Sequence, residues 1–275
     1  MEAEELRSGA VLTARQLTVR FGGVHALDQV SVDVAAGEVL GVIGPNGAGK
    51  TTLFNVICGF VAPQSGTIAW RGRDVTGTRP DRLTRLGIAR TLQGVGLFEH
   101  LTVLENVMVG AERFRRTWPL MAMLGLPRSD RDERALRDRA MAALERVGAA
   151  DTAQRLPQTL PYAGRKRVAL ARALAAEPDL LLLDEPAGGL DPAELSELAQ
   201  LVRSLVPATS VMLVDHHMDL VTSVCDRVVV LDFGRVIAAG DPPVVRQNPQ
   251  VLEAYLGRDA EDVAVLSAGA ADAVG

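Results

Sequence analysis

Three short groups of residues carry chemistry that a single site could use. The first is Gly44-Pro45-Asn46-Gly47-Ala48-Gly49-Lys50-Thr51, followed by Thr52. It fits the pattern G-x-x-x-x-G-K-[ST]. Its glycines let backbone N–H groups converge on phosphate oxygens without Cβ clashes. A helix beginning at the loop adds the positive end of its dipole. Lys50 is expected to reach the β- and γ-phosphates of a nucleotide, Thr51 to ligate magnesium, and Thr52 to cap a further phosphate oxygen.

The second group closes the apolar run Leu180–Leu183 with Asp184 and Glu185. A buried strand of a parallel sheet would deliver both acids at its C-terminal end, where ligands bind in open sheets. Asp184 is expected to hold magnesium through water, and Glu185 to polarise the attacking water as general base. We expect this strand to neighbour the one that feeds the phosphate loop. The third group, Asp215-His216-His217-Met218, follows the apolar Val211–Val214. There His216 is placed to bond a γ-phosphate or orient the water, whereas His217 reads as a surface residue. Gln93, after Ile88–Leu92, has an amide oxygen that could reach magnesium and the water. Together these groups imply hydrolysis of ATP with Mg²⁺.

Such groups need an alternating α/β frame, and the sequence supplies one. Val11–Arg20 and Val30–Val34 read as antiparallel strands, Glu38–Ile43 as a buried strand, and Thr67–Trp70 as an edge strand. A helix is expected from Lys50 to about Cys58. Leu101–Val147 has helical spacing, and its densely charged middle, Arg128–Arg139, reads as a solvated face. Helices at Arg165–Ala176 and Ala193–Val206 alternate with strands at Leu180–Leu183, Val211–Val214, Arg227–Leu231 and Arg235–Ala238. The expected fold is an α/β P-loop NTPase with a mainly parallel sheet, an antiparallel β subdomain and a helical subdomain near 94–176. The ATPase domain is expected over 11–257, after an N-terminal extension at 1–10 and before a mobile tail at 258–275.

Composition narrows the setting. A formal net charge of −5 argues against a nucleic-acid partner gripped over a broad basic face. The two cysteines, Cys58 and Cys225, lack metal-ligand spacing and read as small buried hydrophobes in a reducing compartment. No apolar run reaches the roughly 18 residues that cross a bilayer, and the acidic N-terminus lacks a secretion signal. A cytoplasmic chain is expected.

With these motifs in place, the chain resembles the nucleotide-binding subunits of ABC transporters from Val11 to about Gly257. The resemblance makes Gln93 the Q-loop glutamine, Gly189-Leu190-Asp191 the D-loop and His216 the switch histidine. It also puts Phe21 where the family stacks an aromatic ring on adenine. Phe21-Gly22-Gly23, Gly59-Phe60, Pro161-Tyr162, Cys225-Asp226-Arg227 and Glu253–Gly257 are similar to the branched-chain amino acid uptake group. That likeness implies membrane-spanning permease subunits, a second ATPase subunit and an extracytoplasmic substrate-binding protein as partners. It also implies a peripheral position on the cytoplasmic face of the inner membrane. Very similar subunits serve urea and other small polar substrates, and a soluble ABC-type ATPase on ribosomes or DNA is the alternative of another class.

The chain departs from the family at its signature loop, which reads Leu160-Pro161-Tyr162-Ala163-Gly164 in place of L-S-G-G-Q. In the family this loop caps the γ-phosphate bound by the opposing subunit. Proline has no N–H to give, and Ala163 is expected to tolerate a positive φ poorly. An ATP site that fires more slowly opposite this loop is the expectation.

Overall fold

Three strands at the centre of the molecule are buried at every position, as an apolar run covered on both faces requires. They belong to a computed structural model that describes residues 9–91, 94–115, 127–206 and 208–256. The strands are β1 (Ala10–Phe21), β2 (Val24–Ala35), β3 (Val39–Ile43), β4 (Ser65–Trp70), β5 (Arg73–Asp74), β6 (Ile88–Arg90), β7 (Leu180–Asp184), β8 (Ser210–Val214), β9 (Arg227–Asp232) and β10 (Arg235–Gly240). The helices are α1 (Lys50–Ile57), α2 (Pro80–Arg85), α3 (Val103–Gly110), α4 (Pro127–Arg146), α5 (Tyr162–Leu174), α6 (Pro192–Leu205), α7 (Met218–Val224), α8 (Pro242–Arg246) and α9 (Pro249–Leu256).

The larger sheet has the order β10-β9-β3-β8-β7-β6 and is parallel except for β10. The smaller is antiparallel, in the order β2-β1-β4-β5. Alternation along each parallel strand feeds two separate cores. Val39, Ile43, Leu181, Leu183, Val211 and Leu213 face a core shared with α3, α4, α5 and α7. Leu40, Val42, Leu180, Leu182, Met212 and Val214 face the other, shared with α1 and the antiparallel sheet.

Several elements differ from the sequence reading. The second strand begins at Val24, because Gly22 and Gly23 both take positive φ and turn a tight hairpin between Phe21 and Val24. The stretch expected as an edge strand, Thr67–Trp70, lies inside its sheet, with β5 as the outer strand. Helix α5 starts at Tyr162, three residues before the expected Arg165. The reading passed over β5, α2, β6, α7, α8 and α9, whose two to eight residues are too few to show a period. The N-terminal residues 1–8, residues 116–126 and the tail from 257 lie outside the described residues, whereas the charged Arg128–Arg139 belongs to α4.

The Cys225-Asp226-Arg227 segment fastens the sheet. Asp226 accepts a hydrogen bond from the Val39 amide at 2.8 Å. Arg227 pairs with Glu38 at 2.8 Å and Asp33 at 3.2 Å, all three side chains nearly inaccessible to solvent. Removing one partner of such a buried group costs about 3–5 kcal/mol, because the others are left uncompensated. Cys58 and Cys225 are buried, and burial pushes their thiols up to about 11 and about 12. Packing is their role, as expected. No described helix is long and apolar enough to cross a membrane.

Candidate nucleotide-hydrolysis site

The phosphate loop sits between β3 and the N-terminus of α1, as its motif requires. Two of its glycines are dictated by their neighbours. Gly44 has φ of 147°, and a Cβ there would lie 2.1 Å from the Leu231 carbonyl oxygen. Gly49 has φ of 105°, and its Cβ would meet the Ala26 oxygen at 2.4 Å. The Lys50 side chain folds into the loop, its Nζ donating to the carbonyls of Gly44 at 2.6 Å and Pro45 at 2.8 Å. Asn46, Gly47 and Thr51 are exposed, Thr52 is half-buried, and Pro45 and Ala48 are buried.

Strand β8 lies between β3 and β7. The expectation that Asp184–Glu185 neighbours the phosphate-loop strand is therefore corrected. With strands about 4.8 Å apart, the acids stand roughly 10 Å across the sheet from that loop. Between them, at the end of β8, sit Asp215 and His216. A nucleotide's phosphates span such a gap, so the intervening strand sets His216 between the loop and the acids.

Asp184 is buried, with one oxygen, Oδ2, bonded by the Arg90 guanidinium at 2.6 Å. Its Oδ1 is also buried, with no hydrogen-bond partner among the described residues. That orphaned oxygen and the hydroxyl of Thr51 are hard donors of the kind magnesium takes. The residues present thus fit a divalent cation. Glu185 is half-buried and its backbone is left-handed, at φ of 47°. This conformation costs a non-glycine residue about 1 kcal/mol or more and recurs at functional turns. Its amide donates to the Val214 carbonyl at 2.8 Å, which docks the turn on β8.

Asp215, which the sequence reading left without a role, is fully buried. One oxygen accepts from the Ala187 amide at 2.9 Å, and the other from the His217 amide at 3.0 Å and ring Nδ1 at 2.7 Å. Burial pushes the Asp215 carboxyl upward, but these bonds outweigh it and hold the group below its usual range. The same bond from His217 raises the imidazole above its ordinary value, against partial burial. His217, read as a surface residue, is therefore an anchor. His216 is left half exposed, its ring 4.2 Å from that of His217.

Phe21 stands at the hairpin tip, 53% exposed, as a stacking platform must be. Gln93 lies outside the described residues. Asp191 caps α6, accepting from the Glu194 amide at 2.8 Å while Glu194 returns the bond. In the signature loop, Leu160 is buried and Pro161 occupies the N-cap of α5. Tyr162, Ala163 and Gly164 form the first helical turn, and none of the five residues has a positive φ. The expected strain at Ala163 is corrected: a helical backbone suits alanine. The first-turn amides have no intrahelical partner and remain available as donors.

Three residues that serve this site escaped the sequence reading. Arg90 bonds Asp184, Asp215 bonds the Ala187 amide, and Lys166 donates to the Glu185 carbonyl, each across many residues of chain. The only local signals were a lone cation in an apolar strand and an acid closing one.

A family model described as ABC transporter matches residues 27–188, and one described as branched-chain amino acid ATP-binding cassette transporter matches 235–261. The chain belongs to the ABC transporter family. This ABC cassette is 39% identical over 252 residues to the high-affinity branched-chain amino acid transport ATP-binding protein LivG of Salmonella typhimurium, covering 91% of this chain and 99% of that one. Among solved structures it is similar to an ABC transporter's ATP-binding cassette in its ADP conformation, with a TM-score of 0.78 and 29% identity. That match covers 91% of this chain and all of the other. A dimeric cassette in a post-hydrolysis state, bound to ADP and Pi, aligns with a TM-score of 0.71 and 25% identity over 84% of this chain and 98% of that one. The fold is that of the P-loop NTPase cassettes, and the cassette is an ATPase subunit that powers transport.

Proposed function

We propose that the cassette drives a branched-chain amino acid importer, hydrolysing ATP with Mg²⁺ at the C-terminal ends of β3, β8 and β7. The observation that carries this reading is the convergence there of the Lys50 loop, His216 and the Asp184–Glu185 turn. The LivG likeness supports the substrate class, and the dimeric relative supports a sandwich of two ATPase subunits.

In this reading Phe21 stacks on adenine, and the loop amides of Gly44–Gly49 with Lys50 and Thr52 hold the phosphates. Thr51, Asp184 and Gln93 would hold Mg²⁺, which when bound offsets charge on the phosphate oxygens. Glu185 takes the proton of the water attacking the γ-phosphorus, and His216 orients that water or the departing phosphate. The opposing subunit's loop equivalent to Leu160–Gly164 caps the γ-phosphate, with Asp191 at the dimer seam. The chain sits on the cytoplasmic face of the inner membrane against permease subunits, themselves fed by an external binding protein.

Glu185→Gln tests the site: ATP binding should persist while turnover falls about 10²- to 10⁴-fold. Unchanged hydrolysis would remove Glu185 from the role of base. Affinity capture from solubilised membranes tests the setting. Permease subunits are the expected companions, and ribosomes or DNA in their place would overturn it.

A further inference from the structure

Arg90 is the last residue of β6, at the edge of the parallel sheet, and its side chain is only 10% exposed. Its guanidinium is divided between two elements. One nitrogen donates to Asp184 Oδ2 at 2.6 Å, the other to the side-chain oxygen of Asn55 at 2.7 Å. The group lies 5.7 Å from the ring of Phe54 and 5.8 Å from that of Phe60, so aromatic faces hold it from the sides.

A guanidinium present only to neutralise a buried acid would take both carboxylate oxygens in a fork. This one spends half its fork on Asn55 and leaves Asp184 Oδ1 without a partner among the described residues. Asn55 is four residues after Thr51, on the same face of α1. Arg90 therefore refers both candidate metal-holding elements, the Thr51 helix and the Asp184 strand, to one rigid planar group.

We propose that Arg90 is a positioning residue for the metal site, holding the Asp184 carboxylate with one oxygen occupied and the other left unpartnered for a magnesium-held water. The proposal rests on the reading of Asp184 as a magnesium carboxylate. Arg90 fixes the orientation of that carboxylate and its distance from α1 before nucleotide arrives, so metal binding carries less ordering cost. Partners that orient a metal-holding group in this way typically change metal affinity by about 10- to 100-fold when removed.

The test is a titration of Mg²⁺ from EDTA, with binding of a fluorescent ADP to the full chain as the readout. For Arg90→Met, the Mg²⁺ concentration at half-effect should rise about tenfold, while ADP binding in EDTA stays within about twofold of the parent. Arg90→Lys keeps the charge and should recover part of the shift. Asn55→Ala frees one arm of the guanidinium and leaves its pair with Asp184 in place, so it should shift the midpoint less, about threefold. If Arg90→Met does not fold, the lysine and Asn55 variants carry the test. An unmoved or lowered Mg²⁺ midpoint in folded variants overturns the proposal. Asp184→Asn separates the two levels. If it leaves the metal dependence intact, the Asp184 reading fails and the Arg90 proposal with it. If it shifts the dependence and the Arg90 and Asn55 variants do not, only the Arg90 proposal fails.

Discussion

The ammonium group of Lys166 donates a hydrogen bond to the backbone carbonyl of Glu185 at 3.2 Å. The same group reaches the carbonyl of Pro186 at 2.9 Å and that of Gly188. Lys166 stands in the second turn of α5, the helix that the signature loop opens. One side chain thus ties the helix that opens at Leu160–Gly164, proposed to face the opposing subunit's nucleotide, to the turn that carries the proposed general base. The tie is doubled by Tyr162, whose ring would lie 3.0 Å from a Cβ built on Gly189.

Lys166→Met should lower turnover by about tenfold or more with little change in ATP affinity, because the left-handed turn at Glu185 loses the cation that gathers its carbonyls. Lys166→Arg should keep part of the rate. Steady-state hydrolysis beside equilibrium nucleotide binding is the measurement. A fall in affinity with turnover intact would assign Lys166 to binding instead.

Restoring glycine at 163 and glutamine at 164 should raise turnover of the assembled transporter. A Cβ at Gly164 would find its nearest neighbour, Leu160 Cβ, at 3.5 Å, so a larger side chain enters without a clash. Ala163 is helical, so the gain comes from the donor side chain of glutamine rather than relief of strain. One added donor at a developing phosphate charge leads us to expect about three- to tenfold. An unchanged rate would show that the first-turn amides of α5 already suffice.

The Asp215–His217 pair should make stability depend on pH. His217 has a raised imidazole value, so its contribution is complete below about 6.5 and is lost as pH rises through the folded value. Asp215 is lowered, so its contribution is complete above about 3.8 and is lost as pH falls through the folded value. Lys166 opposes the charged imidazole, Asp219 favours it, and His216 lies beside it. Thermal unfolding of His217→Asn against the parent should therefore show a larger deficit at pH 6 than at pH 9. Equal deficits at both would remove the charged pair from the account.

The placement of the phosphate loop, the two acids and His216 at strand ends was legible because each group is contiguous and closes a short apolar run with turn residues after it. What the sequence withheld is contact at a distance. Arg90 meets Asp184 across 94 residues, and nothing in the local pattern of Ile88–Arg90 points there. The insertion of β8 between β3 and β7 is likewise a matter of strand order, which hydrophobic periodicity does not encode. His217 was misjudged because an exposed-looking pair hides a buried carboxylate beneath one ring. The strain expected at Ala163 came from treating the signature segment as a loop, when its residues already belong to the helix.

Each strand of the parallel sheet divides its side chains between two cores that share a backbone and almost no packing. The sheet is therefore a partition in the evolutionary sense as well. Substitutions on the helical side can accumulate without repacking the wall behind the phosphate loop. A lineage of such cassettes can hold the wall behind the phosphate loop constant while its helical face diverges.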